Sequence, residues 1–413
     1  MLQNDIKTTV AIIGAGPSGS VAASLLIQKG YSVVILERAL FPRFSIGESL
    51  LPQSMKYLEE AGMLDVIKKE DSFQLKNGAA FSNNTDSSTI EFADKFTAGF
   101  GYTYQVRRDK FDKILADNCE EMGVEIYYET SVVAVNNLNN CIELVAKNLK
   151  NNKEYSVKAD FVLDASGFGR VLPRILKLES PSDMPIRQSL FCHVNDNITD
   201  ESFDRNKILI SVHPTDKNIW YWLIPFADGV SSIGVVAEPH ILSKYGNNNK
   251  QALEKVVAEM PYLNKLLLDS TKINDVQKIT GYSASVSKLY GGRYALLGNA
   301  AEFLDPVFSS GVTIALKSAS LAVSVLDKHL KGQKVDWDKE FVKPLYVGID
   351  TFRVFVNAWY DGSLQDVIFN QNSNSKIKSM IASVLAGYAW DEENPFVSDS
   401  NKKLSALASL CRK

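Results

Sequence analysis

The chain has 413 residues, 45% of them hydrophobic and 23% charged, with a formal net charge of −3. That length exceeds what one hydrophobic core normally serves, so two interlocked domains or one large α/β unit is expected. The near-neutral charge and the lack of a long basic run exclude an electrostatic nucleic-acid binder. Cys119, Cys141, Cys192 and Cys411 are scattered, as are His193, His213, His240 and His329. Neither a disulfide frame nor a metal-ligand set is expected, and the thiols suit a reducing, cytoplasmic setting. "TTVAIIGAG" is too short for a signal segment and breaks at glycines, and nothing approaches a membrane span.

In chain order, "TTVAIIGAGPSGSVAASLLIQKGYSVVILER" reads as strand, glycine turn, helix, strand. The apolar run Val10–Ile13 is a buried strand, and the small residues Ser18 to Ser24 suit a helix packed tightly on a sheet. "LKNG" at Leu75–Gly78 carries a hairpin-turn signal, which on its own would place Lys76 in solvent. "RRDKFDKILADNCEEMGVEIYYETSVVAV" predicts a helix with Phe111, Ile114 and Leu115 on one face, then strands, and "SVKADFVLDASGFG" predicts a strand ending in glycines. The Asn-rich stretches "NNLNN", "KNLKNNK" and "GNNNK" predict turns or hairpin tips. From about Pro181 to Ile279 the pattern favours strands, among them "NIWYWLIPF" and "VSSIGVVAE". A strand at Tyr294–Leu297 and a helix from Ser309 to Leu330 follow, and from Val335 the chain reads as helical and irregular.

The expected fold is therefore α/β, a Rossmann-like dinucleotide-binding domain discontinuous in sequence, with an inserted β-rich domain and a helical tail. The boundaries drawn are 1–75, 105–180 and 280–332 for the first, 76–104 and 181–279 for the second, and 333–413 for the third. Gly14, Gly16 and Gly19 stand at G-x-G-x-x-G spacing between strand and helix. Gly14 suits a tight turn, Gly16 lets backbone approach a pyrophosphate, and Gly19 allows close helix–strand packing. The helix start offers free N–H groups and a positive dipole end to phosphates. Glu37 ends the second strand, where a carboxylate accepts from ribose hydroxyls and repels a 2′-phosphate. A second glycine turn, in "LLGNAAEFLDPVFSSG", suits a cofactor with a long extended middle.

Gly14–Gly19, "DASG" at Asp164–Gly167 and "LLGNAAEFLDPVFSSG" resemble the FAD-binding segments of the para-hydroxybenzoate hydroxylase-like flavoproteins, over roughly residues 8 to 330. The resemblance implies FAD flanked by Arg43 and Arg108, with further contacts from Ser18, Arg38, Val133, Asp164, Gly298, Asn299, Pro306, Gly311 and Val312. Asn299 departs from the family's usual Asp after Gly298, which gives up a charge-assisted bond to the ribitol but keeps an acceptor.

Within that superfamily, "WYWLIP" is similar to the W-x-W-x-I-P signature of the flavin-dependent halogenases, with Trp220, Trp222, Ile224 and Pro225 in the fixed places. On a strand the first three share a face. They fill a core in the plain reading; in the family reading they also wall the flavin off from substrate and water. "FLDPVFSSG" is similar to the family's F-x-x-P-x-x-S-x-G element, where Ser309, Ser310 and Gly311 at a helix start would face halide; Ser as an ordinary helix cap is the competing reading. "FQLKNGAAF" places Lys76 where the family carries its essential lysine, which must be partly neutral to carry electrophilic halogen. The tryptophan halogenases have Glu before the Ser pair; Phe308 stands there, which resembles the enzymes acting on phenolic or pyrrolic groups, often tethered to a carrier protein.

The resemblance thus implies halogenation of an electron-rich aromatic by reduced FAD, dioxygen and halide. No second glycine fingerprint for a nicotinamide is present, so a separate flavin reductase, or a nicotinamide that docks transiently without its own domain, is expected. The rivals are an FAD-dependent monooxygenase or a geranylgeranyl-reductase-like dehydrogenase, and a flavin-binding protein without turnover.

Overall fold

A computed structural model describes residues 5–370 and 374–412 of the protein. The opening strand Ile6–Ile13 is central in a parallel sheet, with Val33–Leu36 on one side and Glu154–Asp164 on the other. Glu125–Tyr127 and Tyr294–Leu296 extend the sheet outward, also in parallel. Val10–Ile13 and Val33–Leu36 are buried along their whole length, because a parallel sheet is covered on both faces; this is why they read as unbroken apolar runs. Ile13 lies beside both Leu36 and Asp164, so three strands end on one edge, where ligands of such sheets bind.

An antiparallel hairpin, Thr130–Asn137 with Ile142–Asn148, continues onto the first half of Glu154–Asp164. Its Asn-rich connections turn where the sequence places them. "GNNNK" does not form a hairpin tip: Asn248 caps the helix Asn249–Ala258, accepting from the Gln251 N–H at 3.1 Å. Ala252, Leu253, Val256 and Val257 recur at helical spacing and bury against a sheet, so a helix interrupts what reads as β-rich sequence.

That second sheet is large and mostly antiparallel, in the order Thr271–Lys272, Gln188–Asn195, Val230–Ala237, Trp220–Pro225, Lys207–Val212, Gly78–Ser82, Ser87–Glu91. Its two faces serve two cores. Tyr221 and Leu223 pack with the helices Asn249–Ala258 and Pro261–Leu266. Trp220, Trp222 and Ile224 belong instead to the main core with the parallel sheet.

The tail is regular helix, with Lys343–Tyr360, Ser375–Leu385 and Ser400–Cys411 as its longest pieces. Ser310–Leu330 has the length and apolarity of a membrane-crossing helix, contrary to the expectation that no segment approaches one. Here it is a core helix, packed on the first helix Pro17–Gln28 and on Lys343–Tyr360.

Candidate active site

A cavity of about 530 Å³ opens at the carboxyl edge of the parallel sheet, beneath Ile208, Trp220, Trp222 and Ile224 of the large sheet. A bigger surface cleft, about 840 Å³, lies between Asn83–Asp86 and the last helix and contains none of the candidate residues.

At one end of the cavity, Gly14 turns the chain at φ +98°, a region that side-chain-bearing residues rarely adopt. Helix Pro17–Gln28 then starts with no side-chain cap, so its first N–H groups are left for a ligand. Glu37 is buried; its Oε2 accepts from the Ala15 N–H at 2.7 Å and its Oε1 from the Ala39 N–H at 2.8 Å. Each oxygen keeps a lone pair for a ribose hydroxyl. Arg108 forks onto Asp112, with Nε to Oδ1 at 2.7 Å and Nη2 to Oδ2 at 2.9 Å, and donates from Nη1 to the Ile46 carbonyl at 2.6 Å. Arg43 shares Asp112 at 2.9 Å. The two arginines thereby brace the cavity-lining segment around Ile46 against the helix Arg108–Glu121. Ser18 and Arg38 also line this end.

Five residues expected at the cofactor or the halide do not line the cavity. Gly19 is a packing glycine: a Cβ there would lie 2.0 Å from the Gly14 carbonyl oxygen. Gly298 likewise lets the chain approach Ala315, whose Cβ a side chain would meet at 2.7 Å. Asp164 is fully buried and its carboxylate is taken up by the N–H groups of Ser166 and Leu172, at 2.9 and 2.6 Å. Val133 falls at a bulge in the hairpin and is 43% exposed. Ser310 is buried inside the first turn of its helix.

The other end is apolar and aromatic. Trp220 donates from Nε1 to the Tyr360 hydroxyl at 3.0 Å, and Tyr360 donates to Asp305 at 2.9 Å. Trp222 donates to Ser232 Oγ at 3.1 Å and lies over Gly234, where a Cβ would meet the indole at 2.2 Å. Asn299, Phe303, Pro306, Ser309, Gly311 and Val312 complete the wall. Ser309 holds φ +56° and helix Ser310–Leu330 has no side-chain cap, so the simple Ser-cap reading does not apply. This gives the cavity a second uncapped helix start. Phe308 turns away from the cavity into an aromatic cluster with Phe355 and Trp359 of the tail.

Lys76 is not in a hairpin. Gln74–Lys76 pairs with Thr103–Gln105 in a small sheet, and the chain then crosses at Asn77 into the large sheet. The side chain is 1% exposed; Nζ donates to the Leu50 carbonyl at 2.8 Å and sits 5.3 Å from the centre of the Phe92 ring. Burial pulls its pKa down to about 7, so the amine is partly neutral near neutral pH. Lys76 does not line the cavity itself. Leu50 directly follows Glu48 and Ser49, which do.

Several lining residues escaped sequence reasoning: Phe44 to Ser49, Phe168, Gly169 and Ile208. Glu48 is the most consequential. It is 2% exposed, its Oε1 is 2.6 Å from His193 Nε2, and its Oε2 has no partner. The charged residue in "FSIGESLLP" was a visible signal only in being the lone acid of an otherwise neutral stretch.

Two uncapped helix starts, a ribose-type carboxylate, clear space over Gly16 (3.6 Å from a Cβ to Arg43 Nη2) and an aromatic far end together fit FAD. Residues 7–338 match the family described as "FAD binding domain". The chain is 27% identical to the 1H-pyrrole-2-carbonyl-(peptidyl-carrier protein) chlorinase of Pseudomonas fluorescens, over 98% of this chain and 94% of that one. It is 41% identical to a solved flavoprotein/dehydrogenase from Cytophaga hutchinsonii, covering 98% and 99% of the two chains at a TM-score of 0.95. The fold is shared with the flavin-dependent brominase Bmp2, at TM-score 0.83 and 23% identity over 97% and 99% of the chains. The chain belongs to the FAD-binding flavoproteins of the para-hydroxybenzoate hydroxylase-like kind, in the group that contains the flavin-dependent halogenases.

Proposed function

We propose that the protein halogenates an electron-rich aromatic, with Lys76 presenting the halogen to the substrate. The observation that carries this reading is Lys76 itself: a lysine buried in an apolar and aromatic setting, its pKa about 7, its amine on the carbonyl of Leu50, which adjoins the cavity-lining segment. A solvated turn lysine would have none of these properties. Bound FAD supplies two electrons to dioxygen and so the oxidising equivalent for halide.

The protein's own residues do the rest. Gly14 to Ser18 and Glu37 hold the nucleotide, and Arg43 and Arg108 fix the segment that crosses it. The N–H groups of Ser310 and Gly311 seat halide at the uncapped helix start. The indoles of Trp220 and Trp222 keep water and substrate away from the ring. The Lys76 amine, when neutral, takes up electrophilic halogen and passes it to the aromatic carbon. Below pH about 7 the amine is protonated and cannot do so, hence product formation should rise with pH through about 7.

The similarity to a carrier-protein chlorinase supports a carrier-bound, pyrrole-like or phenolic substrate. Reduced FAD would come from a separate reductase. The four cysteines are all free, as in a reducing compartment, and we assign the protein to the cytoplasm.

Lys76→Ala tests the reading. Flavin binding and oxygen consumption should persist while halogenated product falls by about 100-fold or more. Lys76→Arg should also fail, because a guanidinium stays charged. Full product in the alanine variant removes the reading.

A second reading, an FAD dehydrogenase, is favoured by the solved flavoprotein/dehydrogenase at 41% identity. Rapid anaerobic bleaching of the flavin by NADH or NADPH would select it.

A further inference from the structure

Two carboxylates line the flavin cavity, and they differ. Both oxygens of Glu37 accept backbone N–H groups, whereas Glu48 has one oxygen on His193 and one, Oε2, with no partner although it is buried. An unpartnered carboxylate oxygen is costly inside a protein, by about 1–3 kcal/mol, and asks for a reason. His193 lines a second, smaller cavity of about 270 Å³, together with Phe44, Phe191, Cys192, Asn274 and Gln277. The Glu48–His193 pair is thus the wall between two cavities, and each member faces a different one.

We propose that Glu48 and His193 relay protons between the smaller, outer cavity, whose wall residues Asn274 and Gln277 are exposed, and the flavin cavity. The inference rests on the halogenase reading for its purpose. Written whole, that reaction takes reduced FAD, dioxygen, halide, an aromatic C–H and one proton to FAD, the aryl halide and two waters. Dioxygen accepts two electrons from the reduced flavin and two from the halide, and one proton is consumed per turnover. That proton must reach a cavity whose far end is walled by indoles and by Phe303.

In the relay, the imidazolium of His193 gives its Nε2 proton to Glu48 Oε1 across 2.6 Å. The carboxyl group then turns to carry that O–H to the cavity side and releases the proton there, and the imidazole ring turns to take a new proton on Nε2 from the outer side. The other carboxylate of the flavin cavity, Glu37, is held by two N–H groups. Burial pushes the Cys192 thiol up to about 11, so it stays neutral. Arg43 and Arg108 are held by Asp112, and Arg107, next to the Val106 N–H that bonds the Glu48 carbonyl, turns toward Asp109 and Asp228. The rings of Phe44 and Phe226 pack on the imidazole at 5.9 and 5.6 Å, leaving Glu48 as its side-chain hydrogen-bond partner.

The test reads the pair in the flavin-free protein and then in turnover. Without FAD, the wild type should show a downfield imidazole N–H resonance that Glu48→Ala abolishes; a spectrum unchanged by that substitution overturns the pair. With FAD, His193→Gln keeps a donor to Glu48 but cannot pass a proton. It should bind FAD as tightly as the wild type and lose about tenfold or more in kcat for product, with little change in KM. His193→Ala should lose as much and recover with added imidazole, for which the outer cavity has room. If His193→Gln fails to take up FAD, the imidazole rescue of His193→Ala decides. Wild-type kcat in the His193 variants, or no rescue by imidazole, overturns the relay. No product from the wild type overturns the halogenase reading instead, and the resonance still judges the pair.

Discussion

The two ends of the flavin cavity are built on opposite terms. At the nucleotide end the buried charged groups are already committed: Glu37 to two N–H groups, and Arg108, with Arg43 beside it, to Asp112. At the ring end the walls are indoles and phenyl rings, and polar atoms are left over: Glu48 Oε2 and Ser49 Oγ are buried without partners. The nucleotide end is thus satisfied before any cofactor arrives. On the proposed function the ring end exchanges halide, protons and substrate, for which uncommitted polar atoms are suited.

The glycine fingerprint offers the sharpest break in this comparison, because Gly16 and Gly19 do separate jobs. A side chain on Gly16 meets only Arg43, at 3.6 Å, and otherwise projects into cofactor space. Gly16→Val should therefore lower FAD affinity by about 100-fold or more while the flavin-free protein melts as before. Gly19→Ala should do the reverse first, lowering the stability of the flavin-free protein by about 2–4 kcal/mol, since its Cβ would sit on the Gly14 carbonyl. Isothermal titration with FAD and denaturant unfolding separate the two; equal effects in both variants would refute the division.

At the ring end, Gly234→Ala should displace the Trp222 indole and cost about 1–3 kcal/mol by overpacking. Near-ultraviolet circular dichroism should lose part of its indole signal, and an unaltered spectrum would count against Trp222 being seated by that glycine.

Lys76 carries a pH signature. Its folded pKa, about 7, lies below the unfolded value near 10.5, so between these limits the unfolded chain binds the extra proton. Wild-type stability relative to Lys76→Met should thus rise by about 1.4 kcal/mol per pH unit from pH 7 upward, as the cost of deprotonating the amine on burial fades. Urea unfolding of both proteins at pH 7, 8 and 9 checks the sign; a constant difference would mean that the amine is solvated.

The smallest effect is expected at Trp220→Phe. It leaves the wall aromatic but removes the Nε1 bond to Tyr360, at a cost of about 1 kcal/mol. FAD affinity should be unchanged, whereas oxygen consumed per product should rise if the indole seals the ring end. A ratio that stays at the wild-type value would reduce Trp220 to core filling.

The sequence by itself determined the nucleotide half. Strand, turn, helix and acid lie within about 30 contiguous residues, and their spacing carries the geometry because local backbone rules fix each step. It also determined that Trp220, Trp222 and Ile224 share a face, since a strand alternates. What it could not show is which face, or which of two readings holds for a single residue: "LKNG" is as good a turn signal as any, and only the crossing of Lys76 from one sheet toward another buries it. The helix Asn249–Ala258 was hidden in a helical stretch set between the strands Val230–Ala237 and Thr271–Lys272. Glu48 meets His193 across 145 residues, and Trp220 meets Tyr360 across 140. Contacts of that kind have no local signature, because hydrogen bonding at 2.6–3.0 Å depends on how the two sheets and the tail are packed together, and not on any spacing along the chain.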